Sequence, residues 1–205
     1  MPLILLGALF LVFWIRHFTR RAKKIATNET REFWKRENEA NCTSKKSIDS
    51  IPLVPYTLDL LPPLDQSVPE LAKYHSILTH LSGKPIANLN QYSNTELKLN
   101  YGAMNFSKLY QYDKNYIELI RCLNQIADYY IEMRSYELAI PFLKYSIELD
   151  QTNKSYILLA RCYLALNDTK NLEKLKETIH NLSETKQLTL MKQIKKEEQD
   201  AIANQ

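Results

Sequence analysis

From residue 70 to the C-terminal end, apolar positions recur every three to four residues, the spacing of one face of an α-helix. In Glu70 to Leu81 the apolar set is Leu71, Tyr74, Ile77, Leu78 and Leu81, and Ser82-Gly83 followed by Pro85 predicts the stop. Residues 88–105 are mixed. Ser93-Asn94-Thr95 predicts the cap of a short helix through Leu99, closed by Gly102. From Asp113 one face carries Tyr116, Leu119, Ile120, Leu123, Ile126, Ala127 and Tyr130. A polar turn at 133–135 precedes Leu138, Ala139, Phe142, Leu143 and Ile147, and Asp150 to Asn153 breaks that run. Tyr156, Leu159, Ala160 and Tyr163 predict the next helix, Asn167-Asp168-Thr169 a turn, and Leu172, Leu175, Ile179 and Leu182 another helix. Residues 184–205 read as a charged capping helix with a weak stripe of Leu188, Leu190, Met191 and Ile194.

Upstream of residue 70 the pattern changes three times. Pro52, Pro55, Pro62, Pro63 and Pro69 forbid a regular helix over 51–69, while Leu, Val and Tyr there favour an extended strap lying on the helical domain. Residues 19–50 form a basic juxtamembrane segment, helical to about residue 40, followed by a polar loop. Residues 1–18 are predicted to be a single transmembrane helix. Leu3 to Ile15 has no polar side chain, and its ten strongly apolar residues favour insertion by roughly 3–6 kcal/mol. Thirteen residues span only about 20 Å against a hydrocarbon core of about 30 Å, so Trp14 and Phe18 are placed at the interface and Arg16 is expected to snorkel. A cleaved signal fits less well, because no Lys or Arg precedes the apolar run and no small-residue cleavage site follows it.

Charge sharpens that reading. Residues 16–36 hold eight Lys and Arg, among them Arg16, Arg20, Arg21, Lys23 and Lys24, against Glu29 and Glu32. The excess of six is larger than the formal net charge of +4 for the whole chain, so the rest is slightly acidic. The basic flank lies C-terminal to the apolar run, which predicts the N-terminus outside and the remainder in the cytoplasm, with the same cations available to anionic lipid. A near-neutral remainder gives no reason to expect a nucleic-acid face. The chain has only 3 glycines in 205 residues, which counts against all-β folds and against glycine-rich phosphate loops. The predicted class is therefore all-α: antiparallel helical hairpins behind a Pro-rich strap and one anchor helix, with a helical domain over 70–183.

The helical pattern repeats. Ile126-Ala127-x-x-Tyr130 recurs 33 residues later as Leu159-Ala160-x-x-Tyr163. Ala139, Leu143 and Ser146 follow the first of these at small–large–small spacing. In these residues the chain resembles the tetratricopeptide repeat family, whose helix A carries Leu-Gly-x-x-Tyr and whose helix B carries Ala-x3-Phe-x2-Ala, in units of 34 residues. The second helix B departs from it, with Leu172 where a small residue is usual and Lys176 where an aromatic is. Pro141 lies inside the first helix B, and the proline that usually closes it is missing. The resemblance covers roughly residues 120–182 and implies a concave groove lined by the A helices. Carried over by register, the groove candidates are Arg121, Asn124, Asp128, Lys154, Ile157 and Arg161, a set that suits an acidic or C-terminal peptide.

Searching for chemistry adds little. His75 and His80 lie about 140° apart round a helix and cannot chelate one ion from one face. Ser82-Gly83-Lys84 lacks the upstream glycine of a P-loop. Cys42, Cys122 and Cys162 have neither disulfide nor zinc spacing. The sequence therefore predicts no catalytic residue, metal, cofactor or small-molecule substrate. The expectation is a membrane-anchored, non-catalytic scaffold that binds a protein or peptide. A membrane-bound homo-oligomeric structural protein is the alternative, and an enzyme without a recognisable motif the third reading.

Overall fold

The computed structural model describes the backbone of residues 2–150 and 152–203, and the side chains of these apart from 2–9, 12, 22–26 and 201–203. Every regular element among them is helical. The chain divides into two compact units: residues 1–51 with 89–110, and residues 52–88 with 111–205.

In the first unit, α1 (Pro2–Cys42) packs near its C-terminal end on α3 (Asn94–Tyr101). The capping residues explain where α3 begins. Ser93 accepts a hydrogen bond from the Glu96 amide, and the Glu96 carboxylate accepts from the Ser93 amide, satisfying two donors that a helix end would otherwise leave unpaired. Gly102, at φ 90°, ends α3. Its missing side chain matters twice, since a Cβ there would lie 2.3 Å from the Ser44 carbonyl oxygen. The loop after α1 lies against this glycine, with the Lys46 amide donating to Tyr101 O and the Ala103 amide to Thr43 O. A polar latch joins the two helices. Lys98 donates to Glu37 and to Asn41, and Thr95 Oγ1 donates to Glu37 at 2.7 Å.

The second unit begins with the Pro-rich segment, which runs extended apart from one turn of 3-10 helix at Leu58–Leu60. It inserts Tyr56, Leu61 and Leu64 into the core of this unit. The Val54 amide donates to Ile86 O, and Tyr56 donates to Leu78 O. Proline at the first position of α2 (Pro69–Leu81) presets its φ where no amide is needed. There follow α4 (Phe106–Glu132), whose first turn belongs to the first unit, α5 (Tyr136–Leu149), α6 (Asn153–Ala165), α7 (Thr169–His180) and α8 (Glu184–Ala203). The helix predicted from Asp113 thus starts seven residues earlier, with Leu109 fully buried. Helices α4 and α5 form an antiparallel hairpin. Tyr116 at one end donates to Leu149 O at 2.8 Å, and Tyr130 at the other stacks on Phe142 with ring centroids 6.1 Å apart. Helix α6 packs on α5, α7 and α8.

The two inter-helix turns have the same geometry 33 residues apart. Arg134 and Asn167 take left-handed conformations, φ 57° and 54°. The Ser135 amide donates to Tyr130 O and the Asp168 amide to Tyr163 O, both at 2.8 Å. Asparagine tolerates this conformation; for an arginine it costs roughly 1–2 kcal/mol, which the surrounding bonds must hold. Buried positions recur with the turns: Ala127 with Ala160, Tyr130 with Tyr163, Phe142 with Leu175. Two residues of the sequence pattern fall outside the core, since Leu138 and Leu188 are 53% and 67% exposed. Pro141 sits in α5 on its exposed side, so its lost hydrogen bond is not buried.

Of the predicted anchor, residues 1–18, the backbone of 2–18 forms the start of α1, while residue 1 and the side chains at 2–9 and 12 lie outside the described residues. Among the described residues no helix is long and apolar enough to cross a membrane.

Gly102→Ala is expected to destabilise the first unit by more than about 1 kcal/mol, combining positive φ with the clash at Ser44. It should abolish hydrogen-exchange protection of the Lys46 and Ala103 amides, whereas Gly83→Ala, with open space around it, costs only the backbone strain. The latch should also respond to acid. Lys98 and then Thr95 hold the Glu37 carboxyl below the usual glutamate range. Its contribution is therefore full above the unfolded glutamate value and lost as pH falls through the lower folded one. Protection of the α1–α3 seam, followed by exchange from pH 6 down to pH 3, should decline, and Glu37→Gln should flatten that decline.

Candidate functional site

The expected groove residues lie on α4 and α6 of the second unit, and the structure separates them into three kinds. Arg121 is exposed and makes no ion pair among the described residues. Asp128, Lys154 and Arg161 are already paired. Lys154 Nζ lies 2.6 Å from Asp128 Oδ2, joining α6 to α4. Arg161 grips Glu197 of α8 with two parallel bonds, Nε at 3.0 Å and Nη2 at 2.8 Å, the strong fork geometry of arginine on carboxylate. Glu198, the next residue of α8, takes Lys176 of α7 at 2.7 Å. Helix α8 is thus more than a solvated cap, since it buries Leu190 and Ile194 and neutralises one expected groove cation.

The third kind is turned wholly or partly inward. Asn124 is only 7% exposed and Ile157 is half-buried against the core. Asn124 Nδ2 donates to Ile120 O at 3.0 Å, and its Oδ1 accepts from Ser155 Oγ at 3.0 Å. Ser155 also meets Ser146 Oγ at 3.0 Å and Thr152 Oγ1 at 2.8 Å. Asn124 therefore belongs to a closed polar seam between α4, α5 and α6 and presents no amide to a ligand. The reason is angular: Asn124 follows Leu123, and together with Ala127 it faces α5, whereas Arg121 and Gln125 point away. Sequence reading missed Ser146 and Ser155 as its partners. The signal available was a serine in each facing helix at a position otherwise apolar.

Concavities lie elsewhere, two of them beside the Pro-rich segment and the loop after α1. In the second unit a cavity of about 330 Å³ opens between the Pro-rich segment and α2, walled by Leu58, Leu61, Pro62, Pro63, Leu64 and Leu78. Its polar groups are Asp59 and His75, whose ring lies 3.5 Å from the Gln66 amide. In the first unit Lys45, Lys46, Asp49, Asn105 and Lys108 edge a depression of about 440 Å³. Lys46 donates to Leu99 O, and Asn105 donates to Lys46 O and Tyr101 O, so the loop's own backbone occupies these donors. No group of three or more His, Cys, Asp or Glu among the described residues is placed to hold a metal ion. Burial pushes the Cys122 and Cys162 thiols up to about 12, so both stay protonated near neutral pH.

The residues expected at a membrane interface lie on α1. Trp14 and Phe18 are 53% and 55% exposed, with their rings edge to face at 5.2 Å. Phe10, Leu11, Phe13 and Ile15 are more than half exposed as well. Arg16, Arg20 and Arg21 are exposed beside them; the side chains of Lys23 and Lys24 lie outside the described residues. Comparison of the chain with known protein families, with curated proteins and with solved structures yields no match.

The polar seam makes a measurable claim. Ser155→Ala strands Asn124 Oδ1 and should cost about 1–3 kcal/mol in chemical unfolding. The double variant Asn124→Leu with Ser155→Ala should recover part of that loss, a coupling of at least about 0.5 kcal/mol. Additive losses would show that the two residues act separately.

Proposed function

We propose that this chain is a membrane-tethered, non-catalytic helical-repeat module that holds a protein or peptide partner at the cytoplasmic face. The observation that carries the repeat half of this reading is the 33-residue recurrence of one turn geometry together with its buried Ala and Tyr. That recurrence is what a tetratricopeptide-like stack would produce, since each hairpin buries its apolar face against the next. In such a stack α4 and α6 serve as A helices, α5 and α7 as B helices, and α8 as the closing helix.

The tether is supported by the exposure of Phe10, Phe13, Trp14, Ile15 and Phe18 on one helix, a concentration of apolar surface that water does not tolerate and lipid does. The basic side chains that follow orient it with the N-terminus outside. On the partner face, pairing of Asp128 with Lys154 and of Arg161 with Glu197 leaves Arg121 as the open cation of the set, which favours an acidic segment.

Full-length protein should sediment with membranes and stay there through a high-salt wash, and protease added to intact cells should leave its helical units uncut. Recovery in a salt-free soluble fraction would reject the tether. Arg121→Glu should strip the set of proteins recovered with the full chain from detergent-solubilised membranes, and an unchanged set would reject the groove.

A further inference from the structure

Helix α1 does not stop where its apolar stretch stops. It continues without glycine or proline from Phe18 to Cys42, and every described side chain from Phe18 to Arg36 is exposed. A largely polar helix with a few exposed aromatics, here Phe33 and Trp34, is normally unstable alone unless something holds its ends or it bridges two bodies through solvent. Here the far end is held. Glu37 and Asn41 are bonded to Lys98, Glu37 also to Thr95, and Ala40 is fully buried.

Resting on the tether proposed above, we infer that α1 is a rigid stand-off that fixes the first unit at a set height over the bilayer. The rise from Phe18 to Glu37 is roughly 28 Å and from Phe18 to Cys42 roughly 36 Å, at about 1.5 Å per residue. Both exceed the roughly 8 Å over which surface charge acts at physiological salt. The unit is therefore held clear of the lipid headgroups. A second copy of α1 is a poor occupant of the shaft. A seam through Phe18 and Ile25 continues into Glu29 and Glu32, or into Asn28, Glu32 and Lys35, and a seam through Phe33 meets Glu29 and Arg36.

The height can be measured with the full chain. Cys42 is exposed while Cys122 and Cys162 are buried, so a maleimide dye labels Cys42 selectively. Full-length protein is reconstituted in vesicles containing anionic phospholipid and an acceptor dye on the headgroups, and energy transfer gives the distance of closest approach. The expected distance is about 34–36 Å, allowing for a tilt of about 20°. Seven helix-forming residues inserted between Thr27 and Asn28 should add about 10 Å, which is two turns and preserves the face. Asn28→Gly with Glu29→Pro should shorten and broaden the distance. A vesicle-bound protein whose dye sits within roughly 20 Å of the headgroups, or whose distance ignores the insertion, overturns the stand-off alone. Protein that stays in the supernatant overturns the tether and the stand-off with it.

Discussion

Ala127, Ala139 and Ala160 have no accessible surface, and each lies in the core where α4, α5 and α6 pack. Interhelical distance in a bundle is set by the side chains at the contact, and a methyl group is the smallest that still favours helix. Larger residues there would push the hairpins apart and force neighbouring side chains off their rotamers, typically at about 1–3 kcal/mol. One turn on from Ala127 and Ala160, Tyr130 and Tyr163 fill the volume that small neighbours leave, and both are buried. The turns follow from this arrangement: the carbonyls of the same two tyrosines accept the amides that close each hairpin. Spacing, groove filling and turn closure thus depend on the same few positions.

Against that apolar packing, the bonds among Asn124, Ser146, Ser155 and Thr152 act on register. No buried side-chain nitrogen or oxygen among the described residues lacks a partner, so the seam incurs no orphaned polar group. A one-turn slip of α6 along α5 would break the close packing at Ala139 and Ala160. It would also strand Asn124 and both serines, so the polar seam and the apolar packing favour the same alignment. The ion pairs on the outer side of the same helices, Asp128 with Lys154 and Arg161 with Glu197, are exposed enough that their role is alignment more than stability.

Much of this was legible in the order of residues. The boundaries of α2, α3 and α7 are readable from punctuation, Ser82-Gly83, Ser93 with Gly102, and Asp168, and those of α5 and α6 from the polar turns that flank them. Periodicity identified Tyr116, Leu119, Leu123, Ile126 and Ile179 as core residues. What periodicity could not supply was the identity of neighbours across helices. Asn124 looked like a groove residue because a polar side chain on an amphipathic helix is usually outside; only the serines of two other helices bring it in. Arg161 looked open because Glu197 lies 36 residues further on, in a helix whose charge pattern suggested solvent on all sides. The start of α4 is not legible for a similar reason, since Phe106 to Tyr112 is mixed in character.

The Pro-rich segment has a consequence in time as well as in space. Tyr56 lies against Tyr145 with the rings tilted by 37° and their centroids 6.5 Å apart, and Tyr145 donates to Pro55 O across 90 residues of chain. Residues 52–64 leave the ribosome early and meet α2 soon after, yet Tyr145 of α5 is made much later. At about 5–20 residues per second, the side of Tyr56 that meets Tyr145 waits several seconds for its partner. Five prolines across 51–69 suit that interval: they keep the waiting segment from forming a competing helix and lower the entropy lost when it finally docks.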